Sequence, residues 1–536
     1  MTMTVDMLTY PSHRTPLVVE NGVVATSHPL AAQAGLAMLQ AGGTAVDAAI
    51  AAATTLTVVE PTSNGIGSDA FALVWDGQKL HGLNGSGRAP MGLTPDLLEQ
   101  AGHSKMPTHG WMAVTVPGAP AAWQDLHAQF GRLPFEQVLA PAIRYAEQGH
   151  AVTPIVAQNW ARNVMLAKQR QGAMFEGFLP TYAPNGRAPN IGERFVSPGH
   201  ARTLRLIAQQ GAKAFYQGEI AEAIAAFSRE TGGVLTLDDL AAHTSTWVEP
   251  ISIDYQGHTI WEIPPNGQGL AALIALGILN EMGIASLPRD SAAAYHAQIE
   301  AMKLAFADAH RYIADPTRAD VPVRGLLSPE YLAERRALIG PRAGSYGPGH
   351  PPRGGTVYLC TADNEGRMVS YIQSTYMGFG SGVVIPGWGI SMQNRGAGFS
   401  LEPGHPNRLE PGKRPYHTII PAFLTRNGQA VGPFGVMGGH MQPQGHTQVA
   451  INTIDFGMNP QAALDAPRWR IDDDDVVALE LSTPRAVVEG LIARGHNVKI
   501  DAQSGDFGRG QAIWRMESGA LIAGSETRCD GCAVGW

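Results

Sequence analysis

The sequence predicts a mixed α/β protein, and three observations carry that expectation. The chain has 536 residues, too many for one ordinary core and enough for two domains or one large layered body. Apolar residues recur with a helical period through much of the N-terminal part. Short β-branched and aromatic runs, bounded by Asp- and Gly-containing turns, are interleaved with these helices and dominate the C-terminal part.

Taken in order, the first helix is expected from Pro29 to Gln40, closed by Gly42-Gly43, and the second from Ala45 to Leu56. Ala70 to Trp75 and Lys79 to Leu83 flank Asp76-Gly77, a pair suited to the positive φ angles of a tight hairpin turn. Further helices are expected over Ala119 to Phe130, Phe135 to Gln148, Gly267 to Met282 and Ser291 to Ile313. At Pro341 to Gly355 nine of fifteen residues are Pro or Gly and the apolar period vanishes, which marks a connector. A new structural unit is expected at Thr356, where TVYLCTA, a DNEG turn at Asp363 to Gly366, and RMVSYIQS form a strand pair. Strands over Ile419 to Leu424 and Gly432 to Val436, then a helix near Thr483 to Arg494, complete the C-terminal part.

Composition narrows the function classes. With 38 Lys plus Arg against 46 Asp plus Glu, the net charge of −8 offers no basic footprint for nucleic acid or an anionic membrane. Three cysteines, Cys360, Cys529 and Cys532, are too few for a disulfide framework and fit a reducing compartment. The N-terminus lacks the apolar core of a signal peptide, and Ala48 to Val59 falls short of the ~18 apolar residues of a membrane span. A cytoplasmic, loop-rich enzyme is expected.

Several motifs carry little. Gly65-Ile66-Gly67-Ser68-Asp69 lacks the third glycine of a dinucleotide fingerprint and reads as a tight turn. Cys529-Asp530-Gly531-Cys532 has no second pair to complete a four-ligand zinc site. His405, His417, His440 and His446 lack ligand spacing, and Asp472 to Asp475 reads as a solvated turn. No cofactor or metal is expected. The informative feature is Thr356, directly after a Gly-Gly connector and directly at the start of a strand. Were the Gly355-Thr356 bond cut, the new α-amine would sit beside the threonine hydroxyl and could serve as its general base.

The segments AGGTAVDAAIAAATTLTVVEPTSNGIG (41–67), TVPG (115–118) and EAMKLAFADAHRYIADP (300–316) resemble the large subunit of the γ-glutamyltransferase family. TVYLCTADNEG (356–366), GSG (380–382), PGKRP (411–415) and Gly438-Gly439 are similar to that family's small-subunit landmarks, in the same order. The resemblance implies a self-cleaving proenzyme folded as a four-layer αββα sandwich of the N-terminal nucleophile hydrolase type. It implies a large subunit of residues 1–355 and a small subunit of 356–536, both from one precursor. It also implies Thr356 as nucleophile, Ser374 as a hydroxyl partner hydrogen-bonded to it, and the backbone of Gly438 and Gly439 as an oxyanion hole. Adjacent glycines suit that role because no Cβ obstructs the donors.

The chain departs from the family pattern where γ-glutamyl substrates are gripped. Ser86 stands in the place of an arginine, with Arg88 two positions later, and Gly398 in the place of an aspartate. His417 and Thr418 replace two serines, and Arg395 replaces a glutamine. Without the aspartate, a substrate ammonium would lack its carboxylate. The exchange points to a cationic pocket in which Arg395, with His417, Thr418 and Arg88 as further candidates, binds a small carboxylate. SNGIGSDAF (63–71) and GPFGVMGGHMQPQGH (432–446) resemble the oxamate amidohydrolase branch. The expected activity is hydrolysis of the amide of a small carboxylate-bearing substrate through a threonyl acyl-enzyme. A γ-glutamyl transpeptidase or hydrolase, an acylase of larger amides and a non-catalytic relative stay open beside it, as does a higher homo-oligomer.

Overall fold

Strands Asp69–Trp75 and Met368–Tyr376 are buried at every position. Strands buried on both faces require a covering layer on each side. The computed structural model, which describes residues 14–346 and 355–536, supplies those layers. The reading of residues 1–13, and the 347–354 part of the expected connector, lie outside the described residues.

Two seven-stranded antiparallel sheets stack face to face. In the first the order is Cys532–Gly535, Gly22–Thr26, Gly355–Asp363, Met368–Tyr376, Asp69–Trp75, Leu80–Gly85 and Thr246–Val248. In the second it is Leu17–Val19, Leu521–Ser525, Arg509–Arg515, Gln429–Met437, Ala422–Arg426, His258–Glu262 and Ile251–Tyr255. Helices Pro29–Gln40, Ala45–Val59 and Ala119–Phe130 cover the outer face of the first sheet. Gly269–Leu279 and Met441–Ile454 cover the second, with Ala292–Tyr312 packed on them. The result is the αββα order of layers. Segments before and after the 355–356 bond contribute to both sheets, so Thr356 opens a central strand of a shared sheet and not a separately folded unit.

Most expected helices form where the apolar period and caps put them. Pro29–Gln40, Ala119–Phe130 and Phe135–Gln148 have the expected bounds. The second helix runs on to Val59, and within it Thr54 and Thr57 satisfy their hydroxyls on carbonyls of the preceding turn. Its start is a capping box of Thr44 and Asp47, and the Ala45 N–H donates to Asp363 Oδ2 at 2.9 Å. That bond ties the helix to the far end of the strand Thr356 opens. The Asp76-Gly77 hairpin forms, with Gly77 at φ 106°. The strand expected over Ile419 to Leu424 instead spans Ala422–Arg426, and Ile419 and Ile420 stay outside it because the Ile420 N–H is taken by Gln442 Oε1.

Among the described residues no helix is long and apolar enough to cross a membrane. All three cysteines are free thiols. Burial pushes Cys529 up to about 12 and also raises Cys532, so neither is poised as a thiolate.

Candidate active site

Thr356 lies where the first sheet is deliberately irregular. Gly355 pairs with Tyr376 but Val357 pairs with Gln373, so the partner strand carries one extra residue opposite Thr356. Bulges of this kind re-aim side chains beside active sites. Here Tyr376 takes φ 81°, rare for a bulky residue, and its N–H donates to Ser374 Oγ at 2.7 Å. Thr356 Oγ1 in turn donates to Ser374 Oγ at 3.2 Å. The threonine is 1% exposed, yet it lines a cavity of about 310 Å³ together with Thr62, Ser63, Met437 and Gly438.

Gly438 and Gly439 have φ 134° and 64°, a sequence of left-handed angles that side-chain-bearing residues rarely adopt. They end strand Gln429–Met437 and lead into helix Met441–Ile454. A helix N-terminus presents backbone donors and a partial positive charge to an anion in front of it. The Gly439 carbonyl is pinned from behind by Gln268 Nε2 at 2.9 Å, which also donates to the Thr418 carbonyl at 2.6 Å. That helix was not expected from the sequence. Its residues are buried from Met441 to Thr453 on every side, so no amphipathic stripe announces it, and Pro443 and Gly445 further disguise it. Gly445 is required by packing, since a Cβ there would meet Val436 Cγ1 at 2.6 Å. Gly445→Ala is therefore expected to cost ~1–3 kcal/mol through overpacking, more than the ~1 kcal/mol that alanine normally gains in a helix. A lowered melting temperature with reduced turnover would show it, and a stabilised variant would refute this packing account.

Arg395 is buried next to this site, packed against the Tyr376 that the bulge re-aims. It is 1% exposed, its Nη1 donates to Thr418 Oγ1 at 2.6 Å, and its guanidinium lies 4.5 Å from the Tyr376 ring centroid. Its Nε and Nη2 have no hydrogen-bond partner among the described residues. Burial pulls it down to about 10, with Asp69 and Tyr376 opposing, so it remains cationic at neutral pH.

Asp69 was not singled out from the sequence and proves central. Its Oδ1 accepts from the N–H groups of Gly87 and Gly118, at 3.3 and 3.1 Å, and its Oδ2 accepts from His417 Nε2 at 3.0 Å. Burial raises it to about 7, against the pull of Arg395 and the two backbone donors. His417 Nδ1 accepts from the Ile419 N–H, which fixes the Nε2–H tautomer. Burial, then the charges of Arg395 and Arg414, hold His417 well below its ordinary value. Burial thus disfavours the imidazolium, and the His417 Nε2–H that was a candidate for a substrate carboxylate is engaged by Asp69. Arg88 has partners of its own. Its side chain is 39% exposed and its Nη1 pairs with Asp315 at 3.3 Å and the Gly412 carbonyl at 3.1 Å. Ser86 is buried and bonded to Asn84 Oδ1 at 2.7 Å. A Cβ at Gly398 would lie 2.6 Å from the Tyr416 carbonyl oxygen, leaving no room for an acidic side chain.

One further titratable cluster lies elsewhere. His296 Nδ1 and His496 Nε2 are 2.8 Å apart, and Glu300 is 3.0 Å from Lys303 Nζ. The ammonium already neutralises the carboxylate, and Glu300 Oε2 accepts from the Gly344 N–H at 2.8 Å and Tyr346 OH at 2.7 Å. The cluster anchors the chain leading towards the connector and is no ready metal site.

Comparison with known proteins places this geometry. The family model described as Gamma-glutamyltranspeptidase matches residues 31–536. The chain is 36% identical to the Glutathione hydrolase-like YwrD proenzyme of Bacillus subtilis (strain 168), over 96% of this chain and 98% of that one. It is 37% identical to the Oxamate amidohydrolase proenzyme of Klebsiella pneumoniae, over 97% and 99%. Among solved structures it is similar to a cephalosporin acylase from Bacillus halodurans, with a TM-score of 0.95, 55% identity, and 100% and 99% of the two chains covered.

Proposed function

The chain belongs to the gamma-glutamyltranspeptidase family of self-processing amidohydrolases, and from that premise we propose that it cuts itself before Thr356 and then hydrolyses amides whose acyl half carries a carboxylate. The observation that carries the substrate class is Arg395, a buried guanidinium with two nitrogens unpartnered among the described residues, packed on the Tyr376 that neighbours the nucleophile's strand. A planar acid matches that pair of donors.

In self-cleavage, Thr356 Oγ1 attacks the Gly355 carbonyl carbon and the peptide C–N bond breaks. The resulting ester is hydrolysed to the Gly355 carboxylate and a free Thr356 α-amine. In turnover that amine takes the Oγ1 proton as the oxygen attacks the substrate carbonyl. Ser374 orients the hydroxyl, and the N–H groups of Gly438 and Gly439 hold the oxyanion. The proton passes to the departing nitrogen, the C–N bond breaks, and water releases the acid from the ester.

Oxamate is the smallest substrate of this class, and the 37% identity to an oxamate amidohydrolase supports it. A second reading, an acylase of larger carboxylated amides, is favoured by a cavity of about 310 Å³ and by the cephalosporin acylase likeness. A γ-glutamyl head group has less support, because Gly398 leaves no carboxylate for its ammonium and Asp69 is engaged by three donors. A cytoplasmic setting belongs to the same reading, supported by three free thiols. The test is intact mass followed by assay on oxamate, a glutaryl amide and a γ-glutamyl anilide. Two fragments divided before Thr356, with turnover of a carboxylated acyl amide, are expected. Preference for the γ-glutamyl anilide would overturn the substrate class.

A further inference from the structure

An oxyanion hole at Gly438-Gly439 works only if the turn stays in place, and a glycine pair does not hold itself, since without a Cβ its backbone ranges widely. Two bonds tie the turn to its own helix, from the Met441 N–H to the Gly438 carbonyl at 3.1 Å and from the Gln442 N–H to the Gly439 carbonyl at 3.2 Å. Gln268 ties it to a different element. This residue caps the start of helix Gly269–Leu279 and is fully buried. Its N–H donates to the His417 carbonyl at 3.0 Å, and its Oε1 accepts from Tyr416 OH at 2.9 Å. Its Nε2 donates one proton to the Thr418 carbonyl at 2.6 Å and the other to the Gly439 carbonyl at 2.9 Å. Two carbonyls can be met only by the nitrogen, so the amide has one orientation. Thr418 is also the residue whose Oγ1 accepts from Arg395. One planar amide thereby holds the glycine turn in register with the residue that Arg395 grips.

We propose that Gln268 is a positioning residue for the reaction, which keeps the Gly438-Gly439 donors at the right distance from the Arg395–Thr418 pair. The inference rests on the proposed nucleophile and oxyanion hole. A bound acid in its ground state needs Arg395, whereas the tetrahedral intermediate needs Arg395 and the glycine N–H groups at once. Loss of register is therefore felt in the transition state and not in the binding of the acid.

The test is calorimetric binding of glutarate and of 4-boronobutanoate, its analogue with a boronic acid in place of one carboxyl, to the self-cleaved protein. Thr356 Oγ1 adds to the trigonal boron while its proton passes to the α-amine, and the resulting tetrahedral anion occupies the oxyanion hole. The wild-type protein is expected to bind the boronate about a hundredfold or more tighter than glutarate. Gln268→Met should cut that ratio roughly tenfold or more, with glutarate affinity near the wild-type value. Gln268→Glu keeps the shape of the amide without its two donors, should behave alike, and guards against a methionine variant that does not fold. Gln448 supplies a matched control. It is buried on helix Met441–Ile454, accepts from the Trp469 N–H at 3.1 Å, and donates to the Gln444 and Trp469 carbonyls at 3.0 Å each. Gln448→Met should lower the melting temperature and leave the ratio unchanged. A ratio preserved in both Gln268 variants, or lost equally in Gln448→Met, would overturn the positioning role alone. A wild-type protein that binds the two acids equally would refute the nucleophile reading, and the inference with it.

Discussion

Thr356→Ala is expected to remain a single uncut chain with no measurable amide turnover. Two functions fail together because one side chain would supply both. Without Oγ1 nothing attacks the Gly355 carbonyl, and without that cut the α-amine that would serve as base stays locked in a peptide bond. Loss of a nucleophile in comparable hydrolases costs about 10⁴-fold or more, so residual turnover should vanish into background. Thr356→Ser keeps the hydroxyl but loses the methyl that helps fix its rotamer in the strand, and should still cut, more slowly. Intact mass read against time separates the two variants. An alanine variant that is cut, or that turns over substrate, would end the assignment. The site's geometry gives this prediction its sharpness: the Ser374 bond at 3.2 Å and the bulge opposite Thr356 orient the hydroxyl before any cut occurs.

How much of this was legible depended on how local the cause is. Pro29–Gln40 and Phe135–Gln148 could be bounded from the sequence because turn glycines and an apolar period lie within the segments themselves. The strand that Thr356 opens was legible for a similar reason, a Gly-rich connector meeting a β-branched run. Helix Met441–Ile454 was not, because burial on all sides erases the contrast between faces on which periodicity depends. Asp69 was hidden differently. It begins an apolar strand, and its role exists only through His417, 348 positions away, and through the Gly87 and Gly118 amides. Arg88 shows the converse, since nearness in sequence to Ser86 suggested the pocket, while its partners Asp315 and Gly412 lie 227 and 324 positions away. Residue types at motif positions indicated which chemistry to expect. Charge states and partners came only with the fold.

Arg395→Ala is expected to erase the preference for an acid over its neutral counterpart, read as oxamate against oxamide and as glutarate monoamide against the diamide. A charge-assisted hydrogen bond contributes about 1.5–3 kcal/mol, so kcat/KM for the acids should fall roughly ten- to 140-fold, carried mainly by KM. A purely structural Arg395 predicts something else. As a counter-charge to Asp69 it would support the fold, and its removal would leave Asp69 buried with less compensation and raise that carboxyl further. The melting temperature would then drop while the ratio of acid to neutral substrate stayed constant. The two accounts therefore divide on a ratio, which is insensitive to how much protein is folded. Arg395→Lys sharpens the division. An ammonium keeps the charge for Asp69 but cannot offer two parallel donors or stack on Tyr376 as a planar group. It should restore much of the stability and little of the acid preference, and a lysine variant that recovers both would reduce Arg395 to a point charge.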